Sequence, residues 1–285
     1  MKKIWITGAE GHVGSALIDL LQEQPSGYED YIIPTDRKEV DITNMDEVMG
    51  FVRLNRPDVI INCAGFTDVN ECEANLDEAF RVNAIGVRNV AIAADEVHAK
   101  VIIISTDDVF AKKADRPYNE FDRPQPQTAY GRSKEAGERI LAQHTNRFVI
   151  IRSSWIYGIG EDFVSDILCR AEGQGTLAIP DNQIASPTCA NDLAKMIYYF
   201  IENDACGLYH VVNKGSCSRY EFAKTILEYT GLLDRVELVP IGEANGVPST
   251  YSVLDTMMLR LTGIEEPKEW KAALKEYIHE TGGRE

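Results

Sequence analysis

No stretch of this chain approaches the roughly 18 consecutive apolar residues of a membrane-spanning helix, so no membrane partner is expected. A secretory h-region is missing too: Met1-Lys2-Lys3 runs straight into a short apolar run and a glycine motif. The six cysteines, Cys63, Cys72, Cys169, Cys189, Cys206 and Cys217, include no C-x-x-C pair and no zinc-like spacing with the five histidines. The expected setting is therefore the cytoplasm, with the thiols reduced and each cysteine an ordinary small side chain. Basic residues are scarce: 29 Lys plus Arg stand against 45 Asp plus Glu, a net charge of −16. Such a chain is ill suited to a nucleic acid backbone or an anionic membrane surface. A small anionic ligand is another matter, because a few backbone N–H groups hold a phosphate against an unfavourable overall field. No internal repeat or low-complexity linker is present.

What is present is ordinary globular composition, 44% hydrophobic and 26% charged over 285 residues. A chain of this length buries a core without disulfides or metals, and suits two domains or one large α/β unit with a lobe. Short continuous apolar runs predict strands at Lys3–Thr7, Tyr31–Thr35, Val59–Asn62, Val101–Ser105 and Phe148–Arg152. Between them, helical spacing predicts helices at Val13–Glu23, Met45–Leu54, Asp77–Ala94 and Tyr130–Ala142. The runs are unbroken rather than alternating, as in parallel strands covered on both faces. The fold class is α/β, a Rossmann-type doubly wound parallel sheet with a smaller C-terminal α/β lobe. Residues 1–152 are expected to form the dinucleotide-binding domain. Residues 153–285 are expected to form mainly a substrate-binding lobe, with some segments returning to the sheet. In that part helices are predicted at Asn191–Glu202, Tyr220–Tyr229 and Trp270–His279, and a strand at Gly207–Val212.

Thr7-Gly8-Ala9-Glu10-Gly11-His12-Val13-Gly14 reads G-x-x-G-x-x-G between the first strand and the first helix. In that context the glycines allow a tight turn and close approach, and the helix N-terminus offers N–H groups to a diphosphate. Gly8, Glu10, Gly11, His12 and Val13 are the candidate cofactor contacts. Asp36 closes the second strand, where a carboxylate accepts from ribose hydroxyls. Arg37 follows it, and an arginine there receives a 2′-phosphate instead. NAD and NADP both stay open. Asp41 and Ile42 flank the adenine on one reading; on the other they are a helix-start aspartate and a core isoleucine.

Tyr130-Gly131-Arg132-Ser133-Lys134 is Y-x-x-x-K at the start of a helix. A spacing of four puts both side chains on one face. A phenol titrates near pH 10, and a neighbouring ammonium is expected to lower that value by an amount the sequence does not fix. Ser105-Thr106-Asp107 ends the fourth strand, and open α/β sheets bind ligands at the carboxyl ends of strands. Thr106 is thus placed to hydrogen-bond the reacting oxygen.

On these motifs the chain resembles the extended short-chain dehydrogenases/reductases, and within them the dTDP-4-dehydrorhamnose reductase (RmlD-like) family. The resemblance spans nearly the whole chain. It includes NCAGFTDVNECE at Asn62–Glu73, FRVNAIGVRNVA at Phe80–Ala91 and ISTDDVF at Ile104–Phe110. It continues through YNEFDRPQPQTAYGRSKEAGE at Tyr118–Glu138, RSSWIYG at Arg152–Gly158 and DNQIASPTCANDLA at Asp181–Ala194. The resemblance implies NADPH- or NADH-dependent reduction of the C4 carbonyl of a dTDP-linked 4-keto-6-deoxyhexose. It makes Tyr130 the proton donor, Lys134 the group that lowers the tyrosine pKa and holds the nicotinamide ribose, and Thr106 the carbonyl-orienting residue. It implies backbone contacts to the cofactor from Cys63, Ala64 and Gly65, and substrate contacts from Thr106, Asp107, Asp108 and Trp155. Asn83 lies in the helix backing the site.

The chain also departs from the family pattern. Asp108 stands where the family has a tyrosine facing the sugar. Asp107-Asp108 distantly resembles the acid–base pair of sugar-nucleotide dehydratases, which keeps a dehydratase or epimerase as an alternative. Some members hold magnesium at a dimer contact through a glutamate two residues past the last loop glycine; here that residue is Ala16, and no metal is expected. Val247–Asp255 (VPSTYSVLD) lacks the family's arginine, which bears on the choice of nucleotide. A monomer and a homodimer both fit, and a cofactor-binding regulatory subunit is the non-enzyme alternative. Retention of Thr106, Tyr130 and Lys134 together speaks against it.

Overall fold

A computed structural model describes residues 1–23, 30–173 and 175–281. Strands β1 (Lys3–Thr7), β2 (Tyr31–Thr35), β3 (Val59–Asn62), β4 (Lys100–Thr106) and β5 (Phe148–Ser153) join Gly207–His210 in a six-stranded parallel sheet. The order across it is Gly207–His210, β5, β4, β3, β1, β2. β1 is therefore flanked by β2 on one side and β3 on the other, and the order reverses there. A crevice opens at such a switch point, beyond the carboxyl ends of the strands. Every residue of β3 and β4 is buried, which is why their sequences read as unbroken apolar runs. β2 sits at the sheet edge and tolerates Pro34, whose missing N–H costs a central ladder nothing there.

Helices α1 (His12–Glu23), α2 (Met45–Asn55), α3 (Val69–Ala74), α4 (Leu76–Phe80), α5 (Val87–Val97) and α6 (Ala129–His144) lie along the same part of the chain. Trp5, Ile60, Val90, Val101, Leu141 and Ile150 are among the buried residues of its core. The single helix expected over Asp77–Ala94 is instead α4, a π-helical turn at Arg81–Gly86, and α5. At Gly86, the last residue of that turn, a Cβ would lie 2.7 Å from Ile42 Cδ1, so any side chain there would push the isoleucine aside.

By internal contacts the chain forms two units. The first holds residues 1–111, 121–152 and 194–209, and the second 112–120, 153–193 and 210–285. The second unit has its own core of Tyr157, Ile167, Leu177, Phe222, Ile226 and Trp270. Its strands are very short or only partly buried, so they do not show as apolar runs: Thr176–Pro180 pairs in parallel with Glu237–Ile241, and Gln183–Ala185 lies between Cys217–Ser218 and Thr250–Tyr251. The strand expected over Gly207–Val212 stops at His210. A helix at Phe163–Glu172, opened by a reciprocal Asp162–Ser165 capping box, adds to the helices expected in this part. Among the described residues no helix is long and apolar enough to cross a membrane.

Candidate functional site

The loop after β1 is shaped by backbone packing. Gly8 has φ +64°, and a Cβ on it would lie 2.6 Å from the backbone nitrogen of Ala64, in the loop after β3. Only glycine combines that conformation with that approach. Thr7 Oγ1 donates to Asn62 Oδ1 at 2.6 Å and Cys63 N donates to Thr7 O at 3.0 Å, so the ends of β1 and β3 are tied together. Gly11 N donates to Gly8 O at 3.2 Å, and α1 then begins at His12. Glu10 and Gly11 are exposed, His12 is half-buried, and Val13 is buried, so Val13 offers the loop only its backbone. Asp36 Oδ2 accepts from Glu10 N at 2.9 Å, which places the carboxylate at the end of β2 directly against the glycine loop.

The cradle and the first turn of a 12-residue helix fit a dinucleotide pyrophosphate, which needs close backbone approach and donors pointing outward. A Gly8→Ala variant is expected to weaken NADPH binding at least tenfold, measured by fluorescence titration, because the new methyl meets backbone rather than a movable side chain.

Around this loop the expected residues divide. The Arg37 side chain is 70% exposed and pairs with Asp41 at 3.3 Å and Glu78 at 3.6 Å. Asp41 also accepts from Thr43 N at 2.9 Å and Thr43 Oγ1 at 2.8 Å. Partial burial pushes the Asp41 carboxyl up, but the Thr43 hydrogen bonds and the Arg37 charge outweigh it and hold it below the usual value. The Ile42 side chain is in the core, in keeping with the second of its two readings, and its carbonyl accepts from Asn89 Nδ2 at 3.0 Å. Cys63 and Ala64 are half-buried and Gly65 is exposed. Burial pushes the Cys63 thiol up to about 12, so it stays protonated at neutral pH.

At the end of β4 the chain turns sharply. Thr106 caps the 3₁₀ turn Asp107–Val109: its Oγ1 accepts from Asp108 N at 3.1 Å and donates to Asp107 Oδ1 at 3.3 Å. Thr106, Asp107 and Asp108 are all buried. Helix α6 starts against this turn. Thr128 Oγ1 accepts from Gly131 N at 2.9 Å, and Glu73 Oε1 accepts from Ala129 N at 2.6 Å, so two of the free helix donors are satisfied. Gly131 packs directly on the carbonyl of Asp108, leaving no room for a Cβ. This contact sets Tyr130, in the first helical turn, beside Thr106. Lys134 follows one turn later, buried, with Nζ donating to Ile104 O at 2.5 Å.

Here the tertiary structure reverses one expectation. The Tyr130 phenol is raised above its ordinary value, not lowered. Burial is the largest cause; the charge of Asp108 adds to it, a hydrogen bond with Thr106 opposes it, and Asp107 contributes further. Lys134 is pulled down to about 8, by burial first, with Glu138 acting the other way. The physical reason is that the phenol is buried with two carboxylates near it, while the ammonium is directed onto Ile104 O. The arrangement is a neutral phenol hydrogen-bonded to a threonine, suited to giving a proton to an oxygen that gains charge.

Asn83 plays a larger part than its sequence context reveals. It sits in the π-helical turn, donates to Phe66 O at 2.8 Å and Ser133 Oγ at 2.9 Å, and accepts from Phe66 N at 2.9 Å. It thereby links the loop after β3 to the middle of the Tyr130–Lys134 turn. Nothing in an apolar periodicity marks such a turn. Trp155 belongs to the second unit. Its backbone is left-handed at φ +42°, an uncommon state for a bulky residue, and the Arg219 guanidinium stacks 3.6 Å from its ring centroid.

A family model described as the RmlD substrate binding domain matches residues 1–282. The spore coat polysaccharide biosynthesis protein SpsK of Bacillus subtilis is 38% identical over 283 residues, 98% of each chain. A crystal structure of a dTDP-4-dehydrorhamnose reductase from Clostridium acetobutylicum is 38% identical with a TM-score of 0.93, covering 98% of this chain and 99% of that one. The dTDP-4-dehydrorhamnose reductase of Bacillus anthracis, solved in complex with NADP, is 39% identical with a TM-score of 0.91 and covers 98% of each chain.

Proposed function

This chain belongs to the RmlD substrate binding domain family, and from that premise we propose that it reduces the 4-keto group of a nucleotide-activated sugar. It is an NAD(P)-dependent oxidoreductase. The substrate we favour is dTDP-4-dehydro-L-rhamnose, giving dTDP-L-rhamnose. One observation carries the reading: Thr106 and Tyr130 share a hydrogen bond at the carboxyl end of β4, with Lys134 one turn further along the same helix.

The glycine loop and Asp36 hold the dinucleotide. Bound there, NADPH or NADH supplies a hydride. Thr106 turns its hydroxyl proton from Asp107 Oδ1 to the carbonyl oxygen and orients it. Tyr130 gives its proton to the same oxygen as negative charge develops there, a role for which a phenol kept neutral by burial and by two carboxylates is suited. Lys134, while protonated, holds the nicotinamide ribose and compensates the phenolate left behind. Cys63, Ala64 and Gly65 contact the cofactor through their backbone. Asp107 and Asp108 face the sugar, and the family resemblance assigns Trp155 to it as well. The resemblance puts at Asp108 a phenol, which both donates and accepts; a carboxylate there offers the sugar hydroxyls acceptors alone.

The test is a panel of nucleotide-linked 4-ketosugars assayed with NADH and NADPH separately. Loss of reduced-nucleotide absorbance with dTDP-4-dehydro-L-rhamnose is the expected result. A 4-keto product from dTDP-glucose without net cofactor consumption would support the dehydratase alternative and sink the reductase reading. Tight cofactor binding with no oxidation across the panel would point to the regulatory subunit.

A further inference from the structure

Glu138 lies one turn beyond Lys134 on the same face of α6. Its Oε1 accepts from Ser105 Oγ at 2.5 Å and from Arg152 Nε at 2.9 Å, and its Oε2 accepts from Arg152 Nη2 at 2.6 Å. The two side chains of this ion pair are only 4% and 7% exposed. Ser105 stands between Ile104, whose carbonyl takes the Lys134 proton bond, and Thr106. Three consecutive residues at the end of β4 therefore engage α6: Ile104 through Lys134, Ser105 through Glu138, and Thr106 through Tyr130. A buried ion pair of this kind is not required for packing, since well-packed apolar groups of similar volume often serve stability as well or better.

We propose that Glu138 is a positioning residue for the reaction, holding the end of β4 in register with α6 and supplying the negative charge that the buried cations Lys134 and Arg152 share. The inference rests on the reductase reading of Thr106, Tyr130 and Lys134. The neighbours of Lys134 support it. Burial drags the ammonium down, and Glu138 is the largest opposing influence, ahead of Cys63 in the loop after β3 and Cys72 of α3. Burial holds both thiols above their ordinary values, and the contact from β4 is the neutral Ile104 carbonyl. Of the side chains that influence Lys134, Glu138 is the one on its own helix, one turn away and already bonded to Arg152.

The experiment follows Lys134 directly, by NMR of protein isotope-labelled at lysine Cε, with the Lys134 signal assigned by its loss in Lys134→Met. In Glu138→Gln the Lys134 midpoint is expected to fall by about one pH unit or more. The pH above which NADPH affinity declines should fall with it. Glu138→Asp keeps the charge but shortens the reach to Ser105, so its midpoint should stay close to wild type while kcat drops. Ser105→Ala cuts the tie to β4 alone, and is expected to lower kcat about tenfold or more with the Lys134 midpoint unmoved. A folded Glu138→Gln protein with an unchanged midpoint overturns the charge role. Unchanged kcat in Ser105→Ala overturns the positioning role, and settles the matter even if Glu138→Gln does not fold. Wild-type protein that fails to oxidise NADPH with any 4-ketosugar nucleotide defeats the reductase reading instead, and the lysine titration remains readable in that case.

Discussion

Replacing Tyr130 by phenylalanine is expected to lower kcat by about 10²–10⁴-fold, while NADPH binds as before. The ring stays, so the packing of the first turn of α6 is kept, and the glycine loop that holds the cofactor is untouched. What goes is the proton and the hydrogen bond with Thr106. The pH dependence separates the roles of the two side chains. Burial and the Asp108 charge raise the Tyr130 phenol, so its acid form persists as pH rises. Lys134 titrates near 8 and carries its charge only below that. The alkaline fall in kcat/KM is therefore expected near pH 8 and belongs to the lysine, which loses its hold on the ribose as it deprotonates. Steady-state rates across pH, with fluorescence titration of NADPH at each point, check both statements. A Tyr130→Phe protein keeping more than about a tenth of wild-type kcat would remove the tyrosine from the chemistry.

Gly131→Ala is expected to cost about 3 kcal/mol of stability and to lower kcat more than about tenfold. A methyl on Gly131 would overlap the Asp108 carbonyl oxygen, which is backbone and follows Thr106 closely. Relief requires α6 to move off the end of β4, and that movement separates Tyr130 from Thr106. Gly50→Ala is the control. Gly50 is in α2 with nothing within 4 Å of a new Cβ, so alanine there should be neutral or stabilise by up to ~1 kcal/mol through helix propensity. Urea midpoints and kcat for the two variants test the pair. Equal midpoints would show that the close approach of α6 to Asp108 does not constrain the protein.

Much of the first unit is legible in the amino-acid sequence. Buried parallel strands show as KIWIT, VIIN and VIIIS because both faces are covered and no alternation is needed. Gly8 and Tyr130 stand out because their local settings, strand to helix and helix start, repeat the physics of phosphate and carbonyl sites. The second unit is harder to read. Some of its paired strands have only two or three residues, and the two five-residue ones, Thr176–Pro180 and Glu237–Ile241, are only partly buried, so no unbroken apolar run marks them. The break at Asn83 is hidden as well, since a π-helical turn keeps the helical look of FRVNAIG while redirecting one side chain.

Local sequence is enough for the order of the main strands and helices of the first unit, the glycine cradle and the residue types gathered at the end of β4. These follow from periodicity and backbone sterics, which neighbours in the chain control. The packed fold is needed to learn that Ile42 belongs to the core, that Asp36 meets Glu10, and that Glu138 lies between Ser105 and Arg152. It also sets the direction of the Tyr130 shift. The chain order puts a lysine four residues away and suggests a lowered phenol, yet the field at the hydroxyl comes from whatever is near in space. Burial and the carboxylates of Asp107 and Asp108 dominate there, because desolvation and Coulomb energies depend on distance through the fold rather than along the chain.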